Sequence, residues 1–349
     1  VRHDGSFRLN MSYFAYHYKN RMFSKKLSSL LGPPRKKGEK LIQRHKDIAA
    51  TLQKITEDAM QKIVRHAHEI TGEKNLCMAG GVALNSLSNG KIKSGFKNRI
   101  FIQPAAGDAG GALGAALYTH HCLAGGKKRH VLKNLYLGPE FSDSHIRKQL
   151  LRAGLKFTEH TEKELLKKTA KLIHQNRIIA WFQGRMEYGP RALGNRSILA
   201  NPCNPKMKDT LNKRVKHRED FRPFAPAVPA SEAQKYFETK KDARFMLFVS
   251  KVKKGMRKKI PAVTHQDNTA RLQTVKKQDN PKYYSLIREF EKISRVPALI
   301  NTSFNVRGEP IVCTPEDAVR CFLGTGIDCL VIGNMMVMKK QKKQAEQQA

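Results

Sequence analysis

The sequence predicts an α/β protein built in two parts, and three observations carry that reading. Short apolar runs of strand length, at residues 75–79, 99–103, 178–182, 296–300 and 329–332, are bounded by polar turns rich in glycine, proline or asparagine. Between them lie longer stretches whose apolar residues recur at helical spacing. Gly125-Gly-Lys-Lys-Arg129 and Gly138-Pro-Glu140 then separate two such patterns. Residues 1–124 are therefore expected to form one domain, 125–140 a linker, 141–338 a second domain and 339–349 a disordered tail. At 349 residues the chain is long enough to give each domain its own core.

Taken in order, residues 1–35 read as loop-rich, with Tyr13, Phe14, Tyr16 and Tyr18 and then Gly32-Pro-Pro-Arg35. Residues 48–70 read as one amphipathic helix, because Ile48, Leu52, Ile55, Met60, Ile63 and Val64 share a helical period. Strand 75–79, helix 82–91, strand 99–103 and helix 109–120 follow, so a strand runs through a glycine-bearing turn into a helix twice. Gly80 and Gly81 allow a nucleotide to approach the backbone, and the helix N-terminus beyond suits phosphate. Gly-Gly after a strand is also found in many tight turns. In the second part, helices 142–152, 162–175, 207–215, 283–293 and 315–323 alternate with strands 178–182, 298–300 and 329–332. There is no internal repeat, and beyond Met338 only Lys, Gln, Ala and Glu occur.

Charge is the outstanding bulk property: 66 Lys and Arg against 29 Asp and Glu give +37. Such a field attracts nucleic acid without sequence preference. The basic residues are spread along the chain, however, with residues 251–259 the densest internal run, and no RNA-recognition or helix-turn-helix pattern stands out. Solvated basic faces, recruitment of an anionic substrate and contact with RNA all remain open readings. No run of about eighteen apolar residues exists, so no membrane helix is expected. The N-terminus lacks the apolar core of a secretory signal. Six cysteines without CxxC spacing suit reduced thiols in a cytoplasmic protein and speak against a structural zinc site.

Chemistry concentrates in Gln183-Gly-Arg-Met-Glu-Tyr-Gly-Pro-Arg-Ala-Leu-Gly-Asn-Arg-Ser197, directly after the apolar run 178–182. Arg185, Arg191 and Arg196 lie within it, beside Glu187, Asn195 and Ser197. A buried strand emptying into such a turn puts donors at the carboxyl edge of a sheet, where open α/β sheets bind ligands. Arginine's planar fork matches phosphate and carboxylate oxygens, so an anionic, phosphorylated ligand is expected. The competing reading is a solvated basic turn. Three further segments favour the ligand: Asn301-Thr-Ser-Phe-Asn-Val-Arg-Gly-Glu-Pro310 after strand 296–300, residues 207–229 with Lys213, Arg214, Lys216 and Arg218, and Thr269-Ala-Arg-Leu-Gln-Thr274.

These segments also carry a resemblance. Gly184 to Ile198, Phe221-Arg-Pro-Phe-Ala-Pro226 and Asn301-Thr-Ser-Phe-Asn305 with Gly308-Glu-Pro310 resemble the O-carbamoyltransferase family, whose members modify nodulation factors, cephalosporins and aminoglycosides. Asp4-Gly-Ser-Phe-Arg-Leu-Asn10, Ala79-Gly-Gly-Val-Ala-Leu-Asn85 and Gly107-Asp-Ala-Gly-Gly111 fit as well, so the likeness runs from the first residues to about Asn334. It departs at Gln266 and Asn268, where the family usually has a hydrophobic residue and a glycine. The resemblance implies the second lobe of an actin-like ATPase domain, of the type shared with tRNA threonylcarbamoyltransferases, followed by a YrdC-like domain.

It also implies a two-step reaction. Carbamoyl phosphate and ATP, accompanied by magnesium, would form a carbamoyl-adenylate in the C-terminal domain. The carbamoyl group would then pass to a hydroxyl of a sugar or other small-molecule acceptor. Two polyanions brought together need several fixed cations. Lys213 and Arg191 are the expected catalytic residues, with Arg218, Arg271, Ser303, Asn305, Arg185 and Asn301 binding ATP or carbamoyl phosphate. Pairing of Arg218 and Arg222 with Glu219 and Asp220 is the structural alternative for those two. Gly80, Gly81 and Asn85 would meet the adenylate in the N-terminal domain. The family implies iron held by early histidines and an aspartate matching Asp108; the histidine-bearing lobe has no counterpart ahead of Val1, so a truncated transferase is expected. Adjacent His120 and His121 read as a helix-end pair. A non-catalytic remnant and a basic RNA-binding protein are the alternatives from other classes.

Overall fold

A computed structural model of the chain describes residues 1–36, 38–95, 100–129, 131–239 and 242–339, so all of the expected tail beyond Lys339 lies outside the described residues. The chain forms two compact units, Val1–Met78 with Leu87–Phe101, and Ala79–Ser86 with Ile102–Ala349.

In the first unit, helix α1 (Lys25–Leu31) starts at Ser24, whose hydroxyl accepts from the Leu27 amide. Helix α2 (Gln43–Thr71) is the amphipathic helix read from the sequence, and it stops at Gly72, which takes the left-handed conformation at φ 65°. Strand β1 (Leu76–Met78), helix α3 (Ser86–Gly95) and strand β2 (Ile100–Ile102) follow, with β1 and β2 paired. Met60 and Val64 of α2 pack with Ile92, Leu76, Met78 and Ile100. Leu52, Ile55, Ile63 and Ile70 stay exposed, so only part of the apolar stripe is used within this unit.

The second unit continues with α4 (Ala109–Tyr118), α5 (Asp143–Arg152), β3 (Thr158–Glu159), α6 (Glu162–His174), β4 (Ile179–Phe182), β5 (Arg196–Ala200), α7 (Met207–Leu211), β6 (Ala225–Pro229), α8 (Ala233–Tyr236), β7 (Val249–Lys251), β8 (Thr269–Arg271), β9 (Gln273–Val275), α9 (Pro281–Ser294), β10 (Leu299–Ser303), α10 (Pro315–Leu323), β11 (Cys329–Ile332) and β12 (Met335–Met338). Eight of these strands form one mixed sheet in the order β3-β12-β11-β4-β5-β10-β6-β9, while β7 pairs with β8. β11 runs parallel to β4 and β6 parallel to β9; the other pairings in that sheet are antiparallel.

Helices cover both faces, which is why β4 is apolar throughout. Ile179 and Trp181 point into the core with α6 and α9, where Leu165, Ile173, Leu286 and Phe290 lie. Ala180 and Phe182 point the other way, into the core with α5 and α10. Thr161 with Glu164 and Thr314 with Asp317 close capping boxes that fix the starts of α6 and α10.

Several elements differ from the sequence reading. The stretch expected as one helix at 82–91 is a 3₁₀ turn (Gly81–Leu84) followed by α3. The helix expected at 207–215 is α7 plus a π-helical turn (Asn212–Lys216) that His217 ends at φ 44°. Strands β5 and β6 were hidden in polar or proline-bearing sequence. β5 is buried despite Arg196, whose guanidinium lies 3.5 Å from the Phe182 ring centroid. β6 holds Pro226 and Pro229 yet sits between β10 and β9, where proline is normally excluded. The six cysteines are all free thiols.

Candidate active site: a cluster of unneutralised cations

The arginine-rich motif folds into a loop between β4 and β5, and Glu187 at its entry organises it. Its Oε1 accepts from the backbone amides of Leu193 (2.6 Å), Asn195 (2.8 Å) and Arg196 (3.3 Å). Two positive-φ glycines allow the tight path. Gly189, at φ 112°, lies against Ala105, and Gly194, at φ 114°, lies against the Tyr283 ring, which a Cβ would meet at 2.2 Å. Arg196 is wholly buried and serves as scaffold through its two terminal nitrogens, donating to the carbonyls of Gln183 (2.8 Å), Gly184 (3.1 Å) and Pro139 (3.2 Å). Arg191 is different: it makes no hydrogen bond or ion pair with any described residue, and its Nε is sealed from solvent.

Arg271, at the end of β8, is in the same condition, with a buried Nε and no hydrogen-bonding partner. Burial, with Arg191 and Arg218 nearby, pushes its guanidinium down to about 9, so it is still a cation at neutral pH. Burial lowers Arg191 as well. Arg218 is steadied by Asn212 Oδ1 (2.8 Å) and by the Phe224 ring, 4.8 Å from its guanidinium carbon, yet it forms no ion pair. Glu219 pairs instead with Arg222 (3.2 Å) and Arg307 (3.7 Å).

The fourth cation is Lys216. Its Nζ donates to Ser303 O (2.5 Å), Asn305 Oδ1 (2.7 Å) and Asn305 O (2.9 Å), with Ser303 Oγ at 3.3 Å. Burial and Arg218 push it down to about 7, against oxygen acceptors that favour the ammonium form. The π-helical turn is what brings it there: the extra residue in that turn shifts the buried face of the segment onto Asn212, Val215 and Lys216.

The structure therefore gathers Arg191, Arg218, Arg271, Ser303 and Asn305, and adds Lys216, which the sequence reading passed over for Lys213. Lys213 is exposed on the same turn, whereas Lys216 is buried. Arg185 is exposed and donates to Leu137 O (3.0 Å). Asn301 is buried, with its Nδ2 bonded to Gln273 Oε1 and to Ala192 O. Nothing in the spacing of 207–218 distinguishes Lys213 from Lys216 without the irregular turn.

Gly80, Gly81 and Asn85 form a separate turn. Gly80 and Gly81 are exposed with open space where a side chain would be, and the Gly80 amide donates to Ala106 O (2.7 Å). The next segment begins with a 3₁₀ turn, not the expected helix N-terminus. Asp108 is exposed, and no three His, Cys, Asp or Glu side chains among the described residues are grouped to hold a metal. His121 is engaged with Gly126 O (2.7 Å), as expected of a helix-end pair. The described residues therefore complete no iron site at Asp108. The same turn region touches the arginine loop, since Tyr188 donates to Ala109 O.

Comparison with known proteins follows the same two stretches. A family model described as carbamoyltransferase C-terminus matches residues 170–339, and one described as carbamoyltransferase N-terminus matches residues 1–117. An uncharacterized protein of Synechocystis sp. is 43% identical over 99% of this chain and 61% of its own length. Nodulation protein NolNO of Sinorhizobium fredii is 44% identical over 88% of the chain and 46% of its own, and nodulation protein NolO of Bradyrhizobium diazoefficiens 42% over 88% and 57%. The chain thus spans about half to three fifths of the length of these relatives. Full-length HypF in a phosphate- and nucleotide-bound form aligns over 48% of this chain and 21% of its own at 22% identity, with a TM-score of 0.34, too loosely to add to the fold or the site. No helix among the described residues is long and apolar enough to cross a membrane.

Proposed function

The chain belongs to the carbamoyltransferase family, and from that premise we propose that the cationic cluster activates a carbamoyl group for transfer to a hydroxyl. In this reading carbamoyl phosphate, ATP and one water give carbamoyl-adenylate, phosphate and pyrophosphate. The carbamoyl group then passes to the hydroxyl oxygen of a small-molecule acceptor, which gives up its proton as AMP leaves. The YrdC-like character of residues 141–338, the actin-like character of the preceding part and the place of Gly80, Gly81, Asn85 and Asp108 in the transfer step belong to the same proposal.

One observation carries it. Arg191, Arg218, Arg271 and Lys216 lie together, partly or wholly out of water, and none is paired with a carboxylate. Cations buried near one another are unfavourable unless an anion joins them. Arginine forks fit phosphate oxygens in pairs, and Lys216 supplies a point charge held by Ser303 and Asn305. Charge moving onto leaving phosphate oxygens would be met by donors already in place.

Calorimetry with ATP and with carbamoyl phosphate on Arg271→Ala, together with pyrophosphate release, tests this. Loss of both binding and release is expected. Binding of both ligands with unaltered affinity would remove the cluster from the reaction.

A further inference from the structure

Three of the strand-and-loop pieces that carry the cluster are tied together by two buried side-chain amides. Asn301 Nδ2 donates to Gln273 Oε1 (2.7 Å), and Gln273 Nε2 donates to Leu193 O (2.7 Å). Asn301 Nδ2 also reaches Ala192 O (3.3 Å). Both residues are sealed from solvent. Each sits two positions from a cluster residue: Gln273 follows Arg271, and Asn301 precedes Ser303 on the same face of β10. Ala192 and Leu193 follow Arg191 directly.

We propose that Gln273 and Asn301 are positioning residues that fasten the Arg191 loop to the strands presenting Arg271 and Ser303, so that the cations face one anion. The inference rests on the cluster being the anion site. The loop is gripped from two sides: Glu187 takes its amides at 193, 195 and 196, and the amide pair takes its carbonyls at 192 and 193. Neutral amides suit the second task. A carbonyl needs a donor, and a lysine or arginine there would add a further cation to a cluster that already repels itself. Asn301 Oδ1 is left buried without a partner, a cost that an apolar residue at a merely packed position would avoid.

A double-mutant cycle tests this, with ATP as the probe and calorimetry as the readout on the full chain. Gln273→Met keeps the volume and removes both hydrogen bonds. It is expected to weaken ATP binding about tenfold, and to add nothing, within about twofold, once Arg191→Ala is present. Asn301→Ala, which leaves Gln273 in place, is the companion variant should Gln273→Met not fold, and the same non-additivity is expected. Unchanged affinity in the folded single variants, or losses that multiply in the double variant, would overturn the positioning role. Normal ATP binding by Arg191→Ala alone would overturn the site reading, and the positioning role with it.

Discussion

Two turns in this chain look alike in sequence, and they have quite different surroundings. Each follows a short apolar strand and opens with glycine: Gly80-Gly81 after β1, and Gly184 after β4. Around the first, the glycines face open space and Asp108 is exposed. Around the second, Glu187, Gln273 and Asn301 commit the backbone, while Arg191, Arg218, Arg271 and Lys216 converge from three stretches of the chain. Glycine after a strand supplies room. The charges that decide what enters the room come from elsewhere in the fold.

The contrast is most sharply tested through the scaffold of the second turn. Arg196→Met removes a buried cation that satisfies several carbonyls and is expected to destabilise the protein by about 3–5 kcal/mol in denaturant titrations. Arg191→Ala, five residues away, should leave stability within about 1 kcal/mol, because it breaks no hydrogen bond or ion pair and relieves like-charge repulsion. Equal losses for the two would erase the distinction between scaffold and site.

Next in size is the comparison of two lysines on one turn. Lys216→Ala should lower ATP affinity roughly ten- to hundredfold, the loss of about 1.5–3 kcal/mol of charge-assisted contact. Lys213→Ala should change it less than about twofold, since that side chain is exposed away from the cluster. The reverse ranking in calorimetry would restore the lysine that the sequence alone favoured.

A pH effect follows from the same residue. Lys216 titrates at about 7 in the folded chain against 10.5 for a free lysine, so between those values the unfolded chain holds a proton that the folded chain lacks. Its contribution to stability is therefore least favourable below about 7 and improves as pH rises toward 10.5. Anion binding should do the opposite. It favours the ammonium form, takes up a proton near pH 8 and weakens as pH rises. Heats of ATP binding in buffers of different ionisation enthalpy measure that uptake, and Lys216→Met should abolish it.

The smallest effects are expected at the first turn. Gly81→Ala has open space and an ordinary φ, so a change within about 0.5 kcal/mol is expected in thermal unfolding. Gly194→Ala, forced against Tyr283 at a positive φ, should cost about 2–4 kcal/mol.

Much of the architecture was legible because period and burial agree. The apolar run before Gln183 became β4, and the helices at 162–175, 283–293 and 315–323 fall within a residue or two of α6, α9 and α10. Arg191, Arg218, Arg271, Ser303 and Asn305 were legible as donors, because their residue types match phosphate whatever the fold. What stayed hidden depended on geometry that has no local signature. β5 begins with an arginine that a ring and several carbonyls make tolerable inside, and β6 tolerates two prolines within the sheet. The bonds from Asn301 to Ala192 O and Gln273 had no signal in spacing, because asparagine serves ligands and backbone equally well. The choice between Lys213 and Lys216 turned on one π-helical turn.

The last described residue has a practical consequence. The Lys339 ammonium donates to the carbonyls of Phe322 (2.6 Å) and Leu323 (3.2 Å) in the last turn of α10, and to that of Thr325 just beyond it. Trypsin needs that same ammonium in its specificity pocket, so cleavage after Lys339 requires the contact to open first. The rate of that single cut, followed by intact-mass spectrometry, is a clock for fraying where β12 leaves the sheet, and it needs no label or ligand.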